Sequence, residues 1–174
     1  ALGQDNPDLV AQLVSGVSDA CVETGSALLG GETAIMPDLY APGDFDMAGF
    51  SVGVVERDEA IDGQAIAAGD VIIGLQSSGF HSNGYSLVRR IVFDHAGLEL
   101  GAEAKGCQQT VGDVLLTPTQ IYVRPLRDVL AHYKVKNVVH GIAHITGGGL
   151  LENLSRILPG DVSAEIARGS WDMP

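Results

Sequence analysis

The stretch Val71-Ile72-Ile73-Gly74-Leu75-Gln76-Ser77-Ser78-Gly79-Phe80-His81-Ser82-Asn83-Gly84-Tyr85-Ser86-Leu87-Val88-Arg89 decides the reading of this chain. An apolar run enters it and an amphipathic helical pattern leaves it, which predicts strand, turn and helix. The junction, Ser77–Gly84, holds glycines, small polar side chains and a histidine. Free backbone N–H groups and a positive dipole end at such a junction suit an anion, above all a phosphate. His81 adds the side-chain type whose charge changes near neutral pH. The plainer reading is an ordinary β-turn-α connection. The length and density of this turn favour a binding role.

Working outward, residues 7–28 predict a helix, with Asn6 as N-cap and Pro7 at the first helical position. Leu9, Val10, Leu13, Val14, Val17, Ala20, Cys21 and Thr24 share one face at helical spacing. Gly25 is a weak point near its end. Ala27-Leu28-Leu29 runs into Gly30-Gly31-Glu32-Thr33 as a buried strand. Residues 36–46 are a loop enforced by Pro37 and Pro42-Gly43. Met47–Glu56 predicts a strand covered on both faces. Further strands are expected over 71–76, 135–143 and 162–167. Helices are expected over 85–95, 111–117, 119–133 and 150–158, with Pro125 kinking the third or delaying its start. Strands and helices alternate, so the expected fold is α+β, a layered α/β arrangement. A composition shift near residue 60 divides the chain into residues 1–58 and 59–174.

The chain has 174 residues and is 45% apolar, enough to bury a core. It starts at Ala1 and breaks off at Trp171-Asp172-Met173-Pro174, and is expected to belong to a longer protein. No membrane span or signal peptide is visible, and neither Cys21 nor Cys107 belongs to a metal or disulfide framework. A reducing cytoplasm is the simplest setting. Cys21 is expected to be a small buried residue. Net charge is −12, and residues 1–56 hold nine acids (Asp5, Asp8, Asp19, Glu23, Glu32, Asp38, Asp44, Asp46, Glu56) and no Lys or Arg. Nucleic acid is therefore disfavoured as a partner. For most of these acids solvation is the better account. A phosphorylated ligand would need a bridging divalent metal there.

Three glycine-rich sites recur: Gly30-Gly31-Glu32-Thr33, Ser77–Gly84 and His144-Ile145-Thr146-Gly147-Gly148-Gly149. None is a P-loop or a dinucleotide fingerprint. Thr146–Gly149 either holds an anion or merely reverses the chain. Glu32 either caps backbone N–H groups or faces a metal-bound phosphate. The second is preferred, because an unpartnered buried carboxylate is costly and this segment has no base. His140 and His144 share a face on a strand, but no third zinc ligand of the usual pattern follows. His144 is the better candidate to line a site. His95 and His132 read as surface residues.

These segments resemble the phosphoribosylformylglycinamidine cyclo-ligases, the aminoimidazole ribonucleotide (AIR) synthetases of purine biosynthesis. The resemblance rests on Gly30–Pro37, Asp46–Glu56, Ser77–Arg89, Leu116–Val123 and Ala143–Gly149, which are collinear and span nearly the whole chain. Ile35 stands where the family often has Glu, and Phe80 where Pro is frequent. The family's Asp-Gly-Val-Gly-Thr-Lys motif has no counterpart here. The resemblance implies the end of a dimerising, ATP-binding N-terminal domain followed by most of a C-terminal domain, and a homodimer in the full-length protein.

The resemblance also implies ATP- and Mg²⁺-dependent ring closure of formylglycinamidine ribonucleotide, a small-molecule substrate. Gly30, Gly31, Glu32 and Thr33 are then expected at ATP, and Glu32 with Asp46 at Mg²⁺. His81 is the expected catalytic residue. Ser78, Gly79, Ser82, Asn83, Gly84, His144, Thr146, Gly147, Gly148 and Gly149 are expected at the ribonucleotide. Other members of the superfamily, such as formylglycinamidine ribonucleotide synthase or selenide water dikinase, are the alternative. A truncated, non-catalytic binding module is another.

Overall fold

A computed structural model describes residues 1–133 and 135–171. They fall into two compact units, Ala1–Asp58 with Ile121–Val129, and Glu59–Gln120 with the residues from Leu130 onward. The segment 121–129 thus groups with the first unit, whereas the composition shift places it in the second.

In the first unit, α1 spans Pro7–Thr24. Asn6 caps it, its Oδ1 accepting the Leu9 N–H at 3.1 Å, and Pro7 opens the first turn where an N–H is not needed. The helix stops four residues short of the expected end. Gly25 takes the left-handed conformation (φ 72°), which ends the helix and returns the Ser26 N–H to the Cys21 carbonyl at 2.9 Å. Cys21 is half-buried on this helix. Leu2, only 4% exposed, is pinned between two segments. Its N–H donates to the Ala34 carbonyl and its carbonyl accepts the Met36 N–H, while the Gly3 N–H donates to Asp44. A Cβ on Gly3 would lie 2.0 Å from the Ala41 carbonyl oxygen, so this crossing requires glycine.

In the second unit, the five-residue helix α2 (Tyr85–Arg89) continues as a wider π-type turn over Arg90–His95. Helix α3 (Val111–Leu115) opens with a capping box between Thr110 and Asp113, and buries Val111 and Leu115. Helix α4 spans Val123–His132, and its residues through Val129 belong to the first unit. Pro125 sits in its first turn, so it delays the start of the helix rather than kinking it. Helix α5 spans Gly149–Ser155 and buries Asn153.

The expected strands are not paired. Among the described residues, β-pairing is limited to isolated bridges: Leu2 with Ile35 and with Phe45, and Glu103 with Thr110. The segments 27–33, 47–56, 71–76, 135–143 and 162–167 run without a ladder. The expectation that 27–33 and 47–56 are covered is corrected: Leu29, Phe50 and Val54 are 94%, 96% and 97% exposed. Apolar patterning reports a preference for extended backbone, whereas a strand also needs a partner's N–H and C=O groups. The matching family implies the AIR synthase superfamily fold. No helix among the described residues is long and apolar enough to cross a membrane.

Candidate functional site

The Ser77–Gly84 loop is shaped by residues with positive φ: Gly79 (141°), His81 (55°) and Gly84 (78°). A left-handed histidine is strained relative to glycine and is held by its contacts. Nε2 of His81 accepts the Ser78 N–H at 3.1 Å and the Gln120 N–H at 3.4 Å. A nitrogen that accepts cannot carry hydrogen, so the neutral ring holds its proton on Nδ1.

Three further ties hold the loop. Ser78 Oγ donates to the Pro118 carbonyl at 2.7 Å, and Ser82 Oγ pairs with Thr119 Oγ1 at 3.0 Å. Asn83 Nδ2 donates to Thr146 Oγ1. The Tyr85 hydroxyl, one residue beyond, donates to the Leu115 carbonyl. Two of the three glycine-rich sites therefore meet, joined by Asn83 and Thr146. Ser78, His81, Ser82, Asn83 and Thr146 are brought together, with Gly79, Gly84 and Gly147–Gly149 completing the two turns.

In the second turn the Gly149 N–H donates to the Thr146 carbonyl at 3.0 Å, and Gly148 and Gly149 have φ of 90° and 62°. A Cβ on Gly148 would fall 2.2 Å from Glu152 Oε2, so the Glu152 carboxylate covers that glycine. A phosphate approaching on that side meets negative charge. His144 is exposed two residues before Thr146.

Gly30–Thr33 lies in the first unit and is exposed. Asp46, in the same unit, accepts the Tyr40 hydroxyl at 3.4 Å on Oδ2. Among the described residues, no three His, Cys, Asp or Glu side chains group as a metal site would need. Glu32 and Asp46 do not make such a site with the other described residues.

His140 belongs to a different arrangement. Its Nδ1 lies 2.7 Å from Asp70 Oδ2 and its Nε2 lies 3.2 Å from the Asn137 carbonyl. Both ring nitrogens face acceptors, which the protonated ring satisfies together. Asp70 accordingly lifts the His140 pKa above its ordinary value. The Ala67 N–H, and then His140, hold the Asp70 carboxyl below the usual carboxylate range.

Sequence reasoning passed over Pro118, Thr119 and Gln120 as loop anchors, although their segment carried the resemblance. It also passed over Asn153, whose buried amide faces the second turn. An open cleft of about 610 Å³, lined by residues of 85–94 including Arg89 and Arg90, contains none of the predicted site residues. The loop ties bring predicted site residues together, and the cleft does not.

Residues 67–174 match the family described as AIR synthase related protein, C-terminal domain. The whole chain aligns with phosphoribosylformylglycinamidine cyclo-ligases from Trichlorobacter lovleyi (53% identity over 174 residues), Geobacter metallireducens (52%) and a Geobacillus species (51%). In each case the chain covers 49% of the relative, so it spans about half the length of the curated relatives it matches. The chain belongs to the AIR synthase related protein family, whose C-terminal domain fills the greater part of it.

Proposed function

We propose that the chain is part of an ATP-dependent cyclo-ligase that closes formylglycinamidine ribonucleotide to aminoimidazole ribonucleotide. The observation that carries this reading is the Ser77–Gly84 loop, cross-tied to Thr146 within the segment that matches the family. The relatives named as cyclo-ligases support the reaction class. In the full-length protein the reading includes a homodimer in the cytoplasm and a layered α+β fold. Residues 1–58 are read as the end of the N-terminal domain and residues 59–174 as most of the C-terminal one.

An amide oxygen is a poor leaving group. In the proposed reaction it attacks the γ-phosphorus of ATP and ADP departs. The amidine nitrogen then adds to the activated carbon, and phosphate leaves with loss of a proton. Such charge movement needs fixed donors around the reacting group. Gly30, Gly31, Glu32 and Thr33 are proposed at ATP. Glu32 and Asp46 are proposed to contact the Mg²⁺ that a nucleotide brings.

Ser78, Gly79, Ser82, Asn83 and Gly84 are proposed to hold the ribonucleotide, and His81 to exchange a proton with the reacting amide. His144 and Thr146–Gly149 complete that side. The Glu152 carboxylate over Gly148 suits ribose hydroxyls there better than a phosphate.

The test is AIR formation and ADP release by a full-length protein carrying this sequence. His81→Ala is expected to lower turnover by about tenfold or more, since a positioned proton-transfer group typically contributes about 10²–10⁴-fold. Unchanged turnover would remove His81 from the mechanism. A full-length protein that turns over ATP on a different acceptor would replace the cyclo-ligase reading.

A further inference from the structure

We infer that Asn153 is a positioning residue of the ribonucleotide site, holding the Thr146–Gly149 turn and, through Thr146, the Ser77–Gly84 loop. The inference rests on the proposal that these two turns face the ribonucleotide. Asn153 is 3% exposed and its side chain is fully engaged. Nδ2 lies 3.2, 3.2 and 2.7 Å from the carbonyls of Thr146, Gly147 and Gly149. Oδ1 accepts from Arg156 Nη1 at 3.1 Å. An arginine only donates, so Arg156 fixes which end of the amide is oxygen and turns the N–H₂ group toward the three carbonyls.

The turn needs such a clamp. Gly148 and Gly149 follow one another in the left-handed region, and glycine leaves that region as readily as it enters it. Nothing in the glycines selects one conformer, whereas three carbonyls gathered on one buried amide do. The clamp does not stop at the turn. Thr146 gives its carbonyl to Asn153 and its hydroxyl to Asn83. A connected path therefore runs from α5 to the loop that carries Ser78, His81 and Ser82. Asn153 itself lies behind the turn, so it acts on the ligand only by setting backbone and Thr146 geometry. Small displacements of such groups are costly to binding and rate.

The experiment uses a full-length cyclo-ligase carrying this sequence, with two readouts. The first is kinetic. Asn153→Ala is expected to raise KM for formylglycinamidine ribonucleotide about tenfold, while KM for ATP stays within about twofold. Combined with Asn83→Ala, it should add less than the product of the two single effects. The second readout is amide hydrogen exchange without ligand, in which Gly147–Gly149 should exchange faster and Val111–Leu115 should not change. If Asn153→Ala does not fold, Arg156→Met leaves the amide in place but frees its oxygen, and a smaller rise with the same selectivity is expected. Equal rises in both KM values, multiplicative effects with Asn83→Ala, or unchanged exchange in the turn would each overturn the inference. A wild-type protein that makes no AIR would overturn the proposed function instead, and the exchange contrast would still judge the clamp.

Discussion

Two adjoining regions of the second unit behave differently: the run Val71–Gln76 and the loop Ser77–Gly84 that follows it. The run is apolar, yet Val71 and Ile73 are 83% and 80% exposed and no ladder takes up the backbone. The loop is polar, yet His81, Ser78, Ser82 and Asn83 all reach partners, some about 40 or 60 residues away in sequence. Hydrophobicity alone does not order a segment. Directional groups with specified partners do, and a loop rich in them becomes the better-defined element.

The largest expected effect separates the core beside the loop from the run before it. Leu115 is buried, and its carbonyl receives Tyr85. Leu115→Ala should cost about 3 kcal/mol in urea unfolding, a typical figure for a buried leucine. Ile73→Ala should cost no more than about 0.5 kcal/mol, as at exposed positions. Equal costs would show that the run is packed in a sheet, and the contrast between the two regions would dissolve.

The smallest expected effect is a pH dependence carried by Asp70, at the head of the run, and His140. The ordinary His140 value is 6.5 and the folded value is higher. Its contribution to stability is therefore complete below pH 6.5 and is lost as pH rises through the folded value. Asp70, ordinarily 3.8, is lowered, so its contribution is present above pH 3.8 and is lost as pH falls through the folded value. Melting temperature should thus fall at both ends, and His140→Asn should flatten the alkaline limb. An unchanged alkaline limb in that variant would show that the pair does not contribute. The effect is small because both side chains are about one-third exposed.

The features legible in the sequence are those whose cause is local. Asn6 and Pro7, adjacent in sequence, start α1, and Gly25 is the natural stop although the expected helix runs on to residue 28. Pro125 pushes the start of α4 to Val123 for the same kind of reason. The Ser77–Gly84 turn is recognisable from its own composition. Its anchors are not, since the Pro118 carbonyl and Gln120 N–H are backbone groups that any residue offers.

Asn153 reads as one more polar position in Leu-Leu-Glu-Asn-Leu-Ser, and only the fold turns its amide inward. Asp70 and His140 are 70 residues apart and share no motif. The strand segments fail for the converse reason: their patterning is strong, but pairing is a non-local property that a run of Val and Ile does not specify.

The central claim is that the loop tied to Thr146 is where the phosphorylated substrate is gripped. It is tested most directly by hydrogen exchange of the full-length protein with and without saturating formylglycinamidine ribonucleotide. The account predicts slowed exchange in peptides covering Ser77–Gly84 and Thr146–Gly149. Protection confined to other segments, with these two turns exchanging as in the free protein, would contradict it.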